Sequence, residues 1–461
     1  MLLFFIDTLR ADHVGCYGYR RPTTPTIDGL AAAGTVFERA FSQSTWSLPS
    51  YATIFTSRYP PSHGIVRSSQ ALGPDLPTLA GILTAHGYAT AAFVGGGHLS
   101  PRFGLERGFQ HYKSTELPWS VQPGVEGAIG WLDKRPQSPF FLFVHGYDVH
   151  APYQAPLGFG EMYDPDYRGV VHAPGFLTQG VLESIARDKY DPCDLQPCTS
   201  TSAAADTTAT TGPAGWRTGP AGLPLKLPSL RQTLSAVDRE HLIAHYDGAL
   251  TYADACLARL LDALEQRGLL KNTIVIVAGD HGELLFEHGA VVHGTLPYEQ
   301  IIHVPLVVAG PGLASGRRVK NMAGLIDLAP TLLQLCGVTP CQQHQGKSLA
   351  PALWATSPVP AEEPEQASFS CAGRCYSIRT ARWHFIQCLP TVAQNLQKIL
   401  LFDVLADPAE RTDLSQRNPQ AVEEMRSRLG DWIEEYELPE SSWASRLGPP
   451  VMEMFRQFGY W

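Results

Sequence analysis

The sequence predicts an α/β fold with a large, mixed but mostly parallel central sheet flanked by helices, followed by a small C-terminal α+β subdomain with an antiparallel sheet. Two apolar runs indicate the central sheet, MLLFFI at Met1–Ile6 and TIVIVA at Thr273–Ala278. Their length and their lack of polar alternation are typical of strands buried on both faces. Strand and helix patterns alternate through the first half of the chain, which indicates crossover connections and therefore parallel strand pairs.

The other elements of the large sheet region are predicted from local signals. Pro25 lies in the first turn of a predicted helix over Ile27–Ala33, a position that favours proline. A long helix is predicted from about Val237 to Arg267, because leucine and alanine recur at helical spacing and Gly268 follows as a stop signal. The remaining predictions are helices at Pro49–Thr56, Thr78–His86 and Gly124–Lys134, strands at Tyr88–Val94 and Phe140–His145, and a strand that starts at His303.

The composition of the chain changes at two places. Residues 193–227 are rich in Thr, Ala, Gly and Pro and poor in charge, so we expect a low-complexity insertion with nothing to bury. The segment SPVPAEEPEQ marks a boundary between a large domain over residues 1–356 and a subdomain over residues 367–461. Within the subdomain we predict strands at Tyr376–Arg379 and Trp383–Gln387 and a helix at Pro419–Tyr436.

Charge and hydropathy narrow the classes of partner. The 461 residues carry a formal net charge of −9, and the basic residues form no cluster that would follow a phosphate backbone, so we expect no nucleic-acid partner. No apolar stretch approaches the roughly 18–20 residues of a membrane span, so none is expected. The chain opens on a buried strand without the basic start of a signal peptide, which predicts a cytoplasmic location unless a segment upstream directs export.

The nine cysteines are an odd number for a fully paired set. Three close pairs make disulfides conceivable: Cys193/Cys198, Cys336/Cys341 and Cys371/Cys375. None of these spacings matches a four-ligand zinc site. We therefore expect structural disulfides or free thiols rather than a metal centre at the cysteines.

Polar residues follow directly on the two apolar runs. Asp7 ends the first run, and Asp280 and His281 end the second. Ligands bind beyond the carboxyl ends of parallel strands, and a buried unpaired carboxylate is costly, so we expect these side chains to converge on a cation. Either aspartate alone could equally cap a following turn or helix. Two carboxylates and an imidazole fit Ca²⁺, Mg²⁺ or Mn²⁺, and Zn²⁺ stays open.

Ser47, in the segment WSLPS, lies two residues before Pro49 at the predicted start of a helix. An ordinary N-cap serine would occupy the same place. The functional alternative uses the same geometry, because the N–H groups and dipole of a helix start favour an anion, and a sulfate or phosphate group would lie beside the hydroxyl. His150 in DVHAPY and His293 in VVHGT are candidates to protonate a leaving oxygen, although single loop histidines are often structural.

Several segments resemble, in order, the landmarks of the sulfatase family of the alkaline-phosphatase-like superfamily: FIDTLRADHVGCYGY, TPTIDGLAAAGTVFERAFSQSTWSLPSYATIFTSRYPPSHG, FVHGYDVHAPY, NTIVIVAGDHGE and YEQIIHVPLVVAGPG. The tail, with RTARWHFI and LLFDVLADPAERTDL, resembles the C-terminal subdomain of that family. The resemblance implies an alkaline-phosphatase-like fold in which Asp7, Asp280 and His281 bind one divalent cation, usually calcium. It also implies that Ser47 is the counterpart of the nucleophile and that His150 binds substrate or protonates the leaving group.

The sequence departs from the family pattern around these residues. Thr8 stands where the family usually has a second aspartate, which implies a neutral and weaker metal ligand. Tyr51 replaces the arginine of the Cys/Ser-x-Pro-x-Arg signature for oxidation to formylglycine, so we expect an unmodified Ser47. The Gly-Lys-x-His motif is represented by Gly95–His98 without its lysine. A second lysine, expected shortly before the YEQ segment, is also absent, and His293 is its nearest substitute.

Three functions follow from the resemblance and its departures. The missing arginine and lysines remove three fixed positive charges, and each charge-assisted contact to an anion contributes about 1.5–3 kcal/mol, so singly charged esters are favoured. The first hypothesis is a metal-dependent sulfuric ester hydrolase in which Ser47 attacks a small-molecule or glycan anionic ester in line. The second is a phosphodiester or phosphonate monoester hydrolase, or a phospho-group transferase, on the same fold. The third is a catalytically lapsed homologue that binds a sulfated ligand.

Overall fold

A computed structural model of the chain describes residues 1–115, 120–134, 139–153, 155–156, 158–169, 171, 210–211, 217–218, 234–294, 296–358, 361–363, 365–389 and 398–436. Of the predicted insertion, only two short strands fall within these ranges, β6 (Thr210–Thr211) and β7 (Arg217–Thr218), and they pair with each other. Cys193, Cys198 and residues 437–461 of the predicted subdomain lie outside the described residues.

The central sheet is mixed and mostly parallel, as the sequence predicts. Its nine strands are β1 (Leu2–Ile6), β2 (Thr35–Phe41), β3 (Ala89–Val94), β4 (His111–Ser114), β5 (Phe140–Gly146), β8 (Val275–Gly279), β11 (His303–Val304), β12 (Leu306–Ala309) and β13 (Arg317–Gly324). Strands β9 (Leu284–Leu285) and β10 (Val291–Val292) form a separate two-stranded hairpin. The order across the sheet is β11-β2-β12-β8-β1-β5-β3-β4, with β13 paired to β2. The antiparallel pairs are those that β2 makes with β11 and β12, and the pair of β12 with β8.

Strand β1 lies in the middle of this sheet, parallel to both β5 and β8. Its side chains alternate between two buried clusters, which explains why the run is apolar at every position. The register pairs Ile6 with Gly279 on one side and with Gly146 on the other. Asp7 and Asp280 therefore follow their strands side by side at the carboxyl edge of the sheet.

Helices cover both faces of the sheet, and those predicted from the sequence are present. They are α1 (Pro25–Ala33), α2 (Ser47–Thr56), α3 (Pro60–His63), α4 (Leu79–Ala85), α5 (Val121–Asp133), α6 (Ala236–Gln266), α7 (Glu299–Ile302), α8 (Leu328–Leu335), α9 (Ala350–Leu353) and α10 (Pro419–Tyr436). Helix α6 packs its leucines on one face, and α2 packs Leu48, Tyr51 and Phe55 on the other. None of the helices in the described part of the chain is both long and apolar enough to span a bilayer.

The C-terminal part forms a four-stranded antiparallel sheet on which α10 packs. Its strands are β14 (Ala367–Ala372), β15 (Cys375–Thr380), β16 (Trp383–Cys388) and β17 (Lys398–Asp403). The disulfide joins Cys375 to Cys388, which face each other across β15 and β16, so the pairing of Cys371 with Cys375 is wrong. Cys371 lies opposite Tyr376, one position away from the Ala372–Cys375 pair, and its side chain points to the other face of the hairpin. Cys336 and Cys341 are free thiols.

Candidate active site

Two buried carboxylates and an imidazole meet at the carboxyl edge of β1 and β8. One ligand atom from each of Asp7, Asp280 and His281 lies within 4.8 Å of the other two, and all three residues are fully buried. The Thr8 N–H donates to Asp280 Oδ1 at 3.2 Å. Asp280 Oδ2 and Asp7 Oδ1 have no hydrogen-bond donor among the described residues. Such orphaned buried oxygens fit a bound cation, as predicted from the sequence.

The electrostatics of Asp7 and Asp280, the acid pair of this site, also favour a bound cation. Burial and the charge of Asp7 raise the pKa of Asp280 well above its usual value. Burial by itself would also raise the pKa of Asp7, but the hydrogen bond from His145 and the charges of His281 and His150 hold it below its usual range. Without a cation the pair therefore carries one negative charge rather than two. A divalent cation would allow both carboxylates to ionise.

A second cluster brings Glu299, His384 and Glu410 within the same 4.8 Å limit. Its carboxylate oxygens are already occupied, unlike those of the acid pair. Arg379 donates to both oxygens of Glu299, at 2.8 and 3.3 Å. Glu410 accepts the Glu299 N–H at 2.9 Å and contacts His384 Nδ1. This cluster is an ion-pair network between the two sheets, and its carboxylate oxygens need no metal to be satisfied.

Ser47 lies against the acid pair. It is the first residue of α2, after an extended Trp46, and not the N-cap. Its Oγ donates to Asp7 Oδ2 at 3.0 Å and lies 3.3 Å from His281 Nε2. His281 Nδ1 lies 2.9 Å from the Gly282 carbonyl, which can only accept, so Nδ1 carries the proton and the Nε2 lone pair faces the serine and the acids. The hydroxyl is thus directed at this centre and not at the helix N–H groups.

His145 is a site residue that was not among the candidates predicted from the sequence. It lies opposite Phe5 in the β1–β5 register, two residues before Asp7 and on the same face of the sheet. Its Nε2 is 3.3 Å from Asp7 Oδ2, the same oxygen that accepts the Ser47 hydroxyl. The two donors fix this oxygen and leave Asp7 Oδ1 for a cation. The β1–β5 pairing register is the signal that would have identified it.

The structure brings the two predicted loop histidines into the same pocket. The ring of His293 is centred 4.5 Å from that of His281 and 4.8 Å from that of His150. His293 Nδ1 lies 2.9 Å from Glu283 Oε1, and His150 Nδ1 lies 2.6 Å from the Ala151 carbonyl. Burial lowers the pKa of His293 to about 4 and also lowers the pKa of His150. Burial raises the pKa of Glu283, which the sequence reasoning did not identify, to about 8.

Two departures from the family pattern, at the glycine-rich segment before His98 and at Tyr51, lie in or beside the site. His98 is buried with its ring 5.2 Å from that of Trp46, and burial lowers its pKa to about 3. The charges of Asp7 and of the other site histidines also act on His98, so the glycine-rich segment does reach the pocket. Tyr51, at the arginine position, is fully buried with its ring 5.8 Å from that of Phe5 and 5.2 Å from that of His145. An aromatic core contact therefore takes the place of a guanidinium.

Thr8 belongs to the loop that carries Asp7. Its Oγ1 donates to the Val149 carbonyl at 2.9 Å, and its φ of 56° is in the left-handed region. Tyr246 of α6 holds the same loop, because its hydroxyl donates to the Thr8 carbonyl at 2.9 Å and accepts the Arg10 N–H at 3.0 Å. The described contacts of Thr8 position the Asp280 carboxylate and the loop. Its role as a ligand stays a prediction.

Comparisons with known proteins agree with this geometry. The sulfatase family model matches residues 1–338, and the model for the N-sulphoglucosamine sulphohydrolase C-terminal region matches residues 287–437. Arylsulfatase K of Gallus gallus is 26% identical over 439 residues, which cover 87% of this chain and 76% of the relative. A delta 4,5-hexuronate-2-O-sulfatase of Bacteroides thetaiotaomicron is 24% identical over 466 residues, covering 94% of this chain and 88% of that protein.

Solved structures show the same fold. A protein in complex with its substrate D-glucosamine-2-N,6-O-disulfate superposes with a TM-score of 0.73 at 20% identity, covering 96% of this chain and 99% of that one. The phosphonate monoester hydrolase of Agrobacterium radiobacter gives a TM-score of 0.70 at 19% identity, covering 94% and 95%. The fold is therefore shared across more than one ester chemistry, while the family match covers most of the chain. This chain belongs to the sulfatase family of sulfuric ester hydrolases.

Proposed function

We propose that the protein hydrolyses sulfuric esters at the Ser47 centre, with an anionic glycan or a smaller sulfate ester as substrate. The observation that carries this proposal is the hydrogen bond of the Ser47 hydroxyl to Asp7, beside two carboxylate oxygens without donors. A serine in a structural role would not need a buried carboxylate and a buried imidazole at its oxygen. The sulfatase relatives support the sulfate ester, and the disulfated glucosamine of one structural neighbour motivates the glycan.

Asp7, Asp280 and His281 would hold the divalent cation, and Thr8 is the further predicted ligand. We propose calcium, because the donors without partners are carboxylate oxygens, which hard cations prefer. Magnesium and manganese fit the same donors. When bound, the cation supplies positive charge that lowers the pKa of a neighbouring hydroxyl and neutralises the non-bridging oxygens of the ester.

The residues of the chain have distinct roles in the proposed reaction. Asp7 orients Ser47 and accepts its proton, and the Ser47 oxygen forms a bond to sulfur as the bond from sulfur to the alcohol oxygen breaks. His150 or His293 gives the departing alcohol its proton. Water then hydrolyses the serine sulfate and restores the hydroxyl. Burial lowers the pKa of both histidines, and the negative charge of a bound ester would raise their pKa toward the protonated form.

The pocket also favours esters that carry one charge. The described side chains around Ser47 are histidines rather than lysines: His98, His145, His150, His281 and His293. Burial lowers the pKa of each of them, so they offer polar contacts with little fixed charge. A sulfate monoester carries one negative charge and suits such a pocket better than a phosphate monoester with two. Phosphodiesters and phosphonate monoesters also carry one charge, so they must be tested directly.

A panel of aryl sulfate, sulfated glycan, phosphodiester and phosphonate monoester substrates tests the proposal in the presence of calcium. We expect sulfate turnover to exceed turnover of the phosphorus esters. The rate of sulfate turnover by the Ser47→Ala variant should be lower than that of the wild type by about 10³-fold or more, as expected when a nucleophile is removed. Ser44→Ala is the matched control, because Ser44 is equally buried and its hydroxyl has no hydrogen-bond partner in the described chain.

Two outcomes would refute this assignment. Sulfate turnover at background together with rapid phosphodiester or phosphonate cleavage would establish the second hypothesis. Undiminished ligand binding with no activity that depends on Ser47 would establish a lapsed enzyme.

A further inference from the structure

Helix α6 carries two histidines that converge away from the Ser47 centre. His241 and His245 are four residues apart and therefore lie on one face of the helix. Their Nε2 atoms are 3.1 Å apart, and both residues are buried, with 6% and 7% exposure. Two histidines at this spacing on a helix are an arrangement that binds zinc in metalloenzymes. Neither residue has a part in the proposed ester hydrolysis.

The distance between the two nitrogens suits a transition metal. A zinc–imidazole bond is about 2.0–2.1 Å long, so one ion bonded to two nitrogens 3.1 Å apart would subtend an angle of about 100°. That angle lies between octahedral and tetrahedral values. The ion would therefore enter without movement of the helix backbone.

The surroundings prepare His241 as a ligand. Asp164 Oδ2 lies 2.9 Å from His241 Nδ1, so the carboxylate fixes the tautomer with the lone pair on Nε2. The Tyr167 ring stacks on the imidazole with centroids 3.6 Å apart and holds its plane. Gly160 lies against the other histidine, since a Cβ there would come within 3.0 Å of His245 Nδ1. The carboxylate, the tyrosine and the glycine all belong to the segment over residues 158–169.

Charge also favours a cation at this place. Burial and the neighbouring His241 lower the pKa of His245, so it is neutral and available as a ligand. The carboxylates of Glu161 and Asp164 act on His245 with negative charge. A cavity of about 270 Å³ opens beside the segment and is lined by Asp164, the carboxylate that contacts His241.

A hydrogen bond between neutral rings also accounts for the geometry of the metal-free protein. In that state His245 Nε2–H donates to His241 Nε2, and His241 Nδ1–H donates to Asp164. Metal binding would replace this hydrogen bond, and the His245 proton would move from Nε2 to Nδ1, so that both Nε2 lone pairs face the ion and both rings stay neutral. The two states differ in whether an added ion is bound, so they can be separated by experiment.

We propose that His241 and His245 form a second metal site, for a divalent transition metal of the zinc type, with Asp164 as the positioning residue and water in the remaining positions. The Asp164 carboxylate, which contacts His241 Nδ1, would link the 158–169 segment to the liganded histidine on α6. Tyr246 is the next residue along the helix after His245, and its hydroxyl holds the loop that carries Asp7. The proposed metal site is therefore adjacent in sequence to a residue that positions the Ser47 centre.

The test uses the full chain, treated with chelator and then saturated with calcium to fill the Asp7 centre. Zinc is titrated by calorimetry, and we expect about one further equivalent to bind. His245→Gln should abolish this binding, and Asp164→Asn should weaken it about 10–100-fold, as for other residues that orient a ligand. His86→Gln, at an exposed histidine, is the matched control and should bind as the wild type does. Unchanged zinc binding by folded His245→Gln would overturn the proposal.

A second measurement needs no variant. Copper(II) added to the calcium-loaded wild type should show nitrogen hyperfine coupling from two imidazoles in its electron paramagnetic resonance spectrum. Coupling from one imidazole, or from none, would place the ion elsewhere and overturn the proposal.

Discussion

Replacing Asp280 by asparagine tests the acid pair through stability. The asparagine oxygen can keep the hydrogen bond from the Thr8 N–H, and its amide can donate to the His281 Nε2 lone pair, which lies 3.4 Å from Asp280 Oδ2. The variant should therefore fold with the site geometry intact. It loses one negative charge, and with it the repulsion from Asp7 and the affinity for a cation.

The magnitude follows from the separation of the charges. Two unit charges at 4.8 Å, the limit within which the ligand atoms of the site lie, would repel by about 3.5 kcal/mol at an effective dielectric constant of about 20. In chelator the wild-type pair avoids this repulsion only by holding a proton on Asp280, which itself costs free energy at neutral pH, so Asp280→Asn should raise the free energy of unfolding by up to about 3.5 kcal/mol relative to the wild type. With calcium at about one hundred times its dissociation constant, the wild type should gain about 2.7 kcal/mol and the variant nothing.

Urea denaturation with calcium and with chelator measures both effects. The control is Asp254→Asn, because Asp254 is also buried but accepts the N–H groups of Thr26 and Ile27, both at 2.9 Å, at the start of α1. It should destabilise the protein equally with and without calcium. The account of the acid pair is wrong if, in chelator, Asp280→Asn is less stable than the wild type. It is also wrong if calcium stabilises Asp280→Asn as much as it stabilises the wild type.

Three further predictions follow from the structure. The peptide that holds Ser47 should have the mass of plain serine, and a loss of about 2 Da in mass spectrometry would reveal formylglycine instead. Burial raises the pKa of Asp148 from 3.8 to about 6 in the folded protein, so its ionisation reduces stability as pH rises from about 4 to 6. Asp148→Asn, which can still accept the Val121 N–H, should therefore gain about 3 kcal/mol over the wild type across that range in denaturation series, and a constant difference would contradict this. Arg379→Met should cost about 3 kcal/mol by taking the arginine partner from the largely buried Glu299, while calcium binding by calorimetry stays unchanged.

The apolar runs made the central strands predictable. Met1–Ile6 and Thr273–Ala278 are buried on both faces, so their sequence carries the signal at every residue, and β1 and β8 fall within two residues of the prediction. Strands β2 and β13 were not predicted. Both contain charged residues at positions that are not fully buried, in TVFERAF and RRVKNMAG. A strand that is not buried at every position has a less continuous apolar run, so its sequence predicts a strand less clearly.

The candidate site was predictable where residues end a strand or begin a helix. Asp7, Asp280 and Ser47 follow such boundaries, and the structure brings them together. His145 and Glu283 lie in buried segments whose partners come from other parts of the chain, so only the strand register and the loop path reveal them. The disulfide was not predicted for the same reason. The position of Cys388 opposite Cys375 depends on the register of the β15–β16 hairpin, which the spacing of the cysteines in the sequence does not reveal.

Anomalous diffraction from crystals soaked in manganese, as a substitute for calcium, tests the central interpretation most directly. We predict a single strong peak at the carboxyl edge of β1 and β8, within about 2.0–2.6 Å of Asp7 Oδ1, Asp280 Oδ2 and His281 Nε2 and beside the Ser47 hydroxyl. A strong peak elsewhere together with an empty acid pair would contradict it.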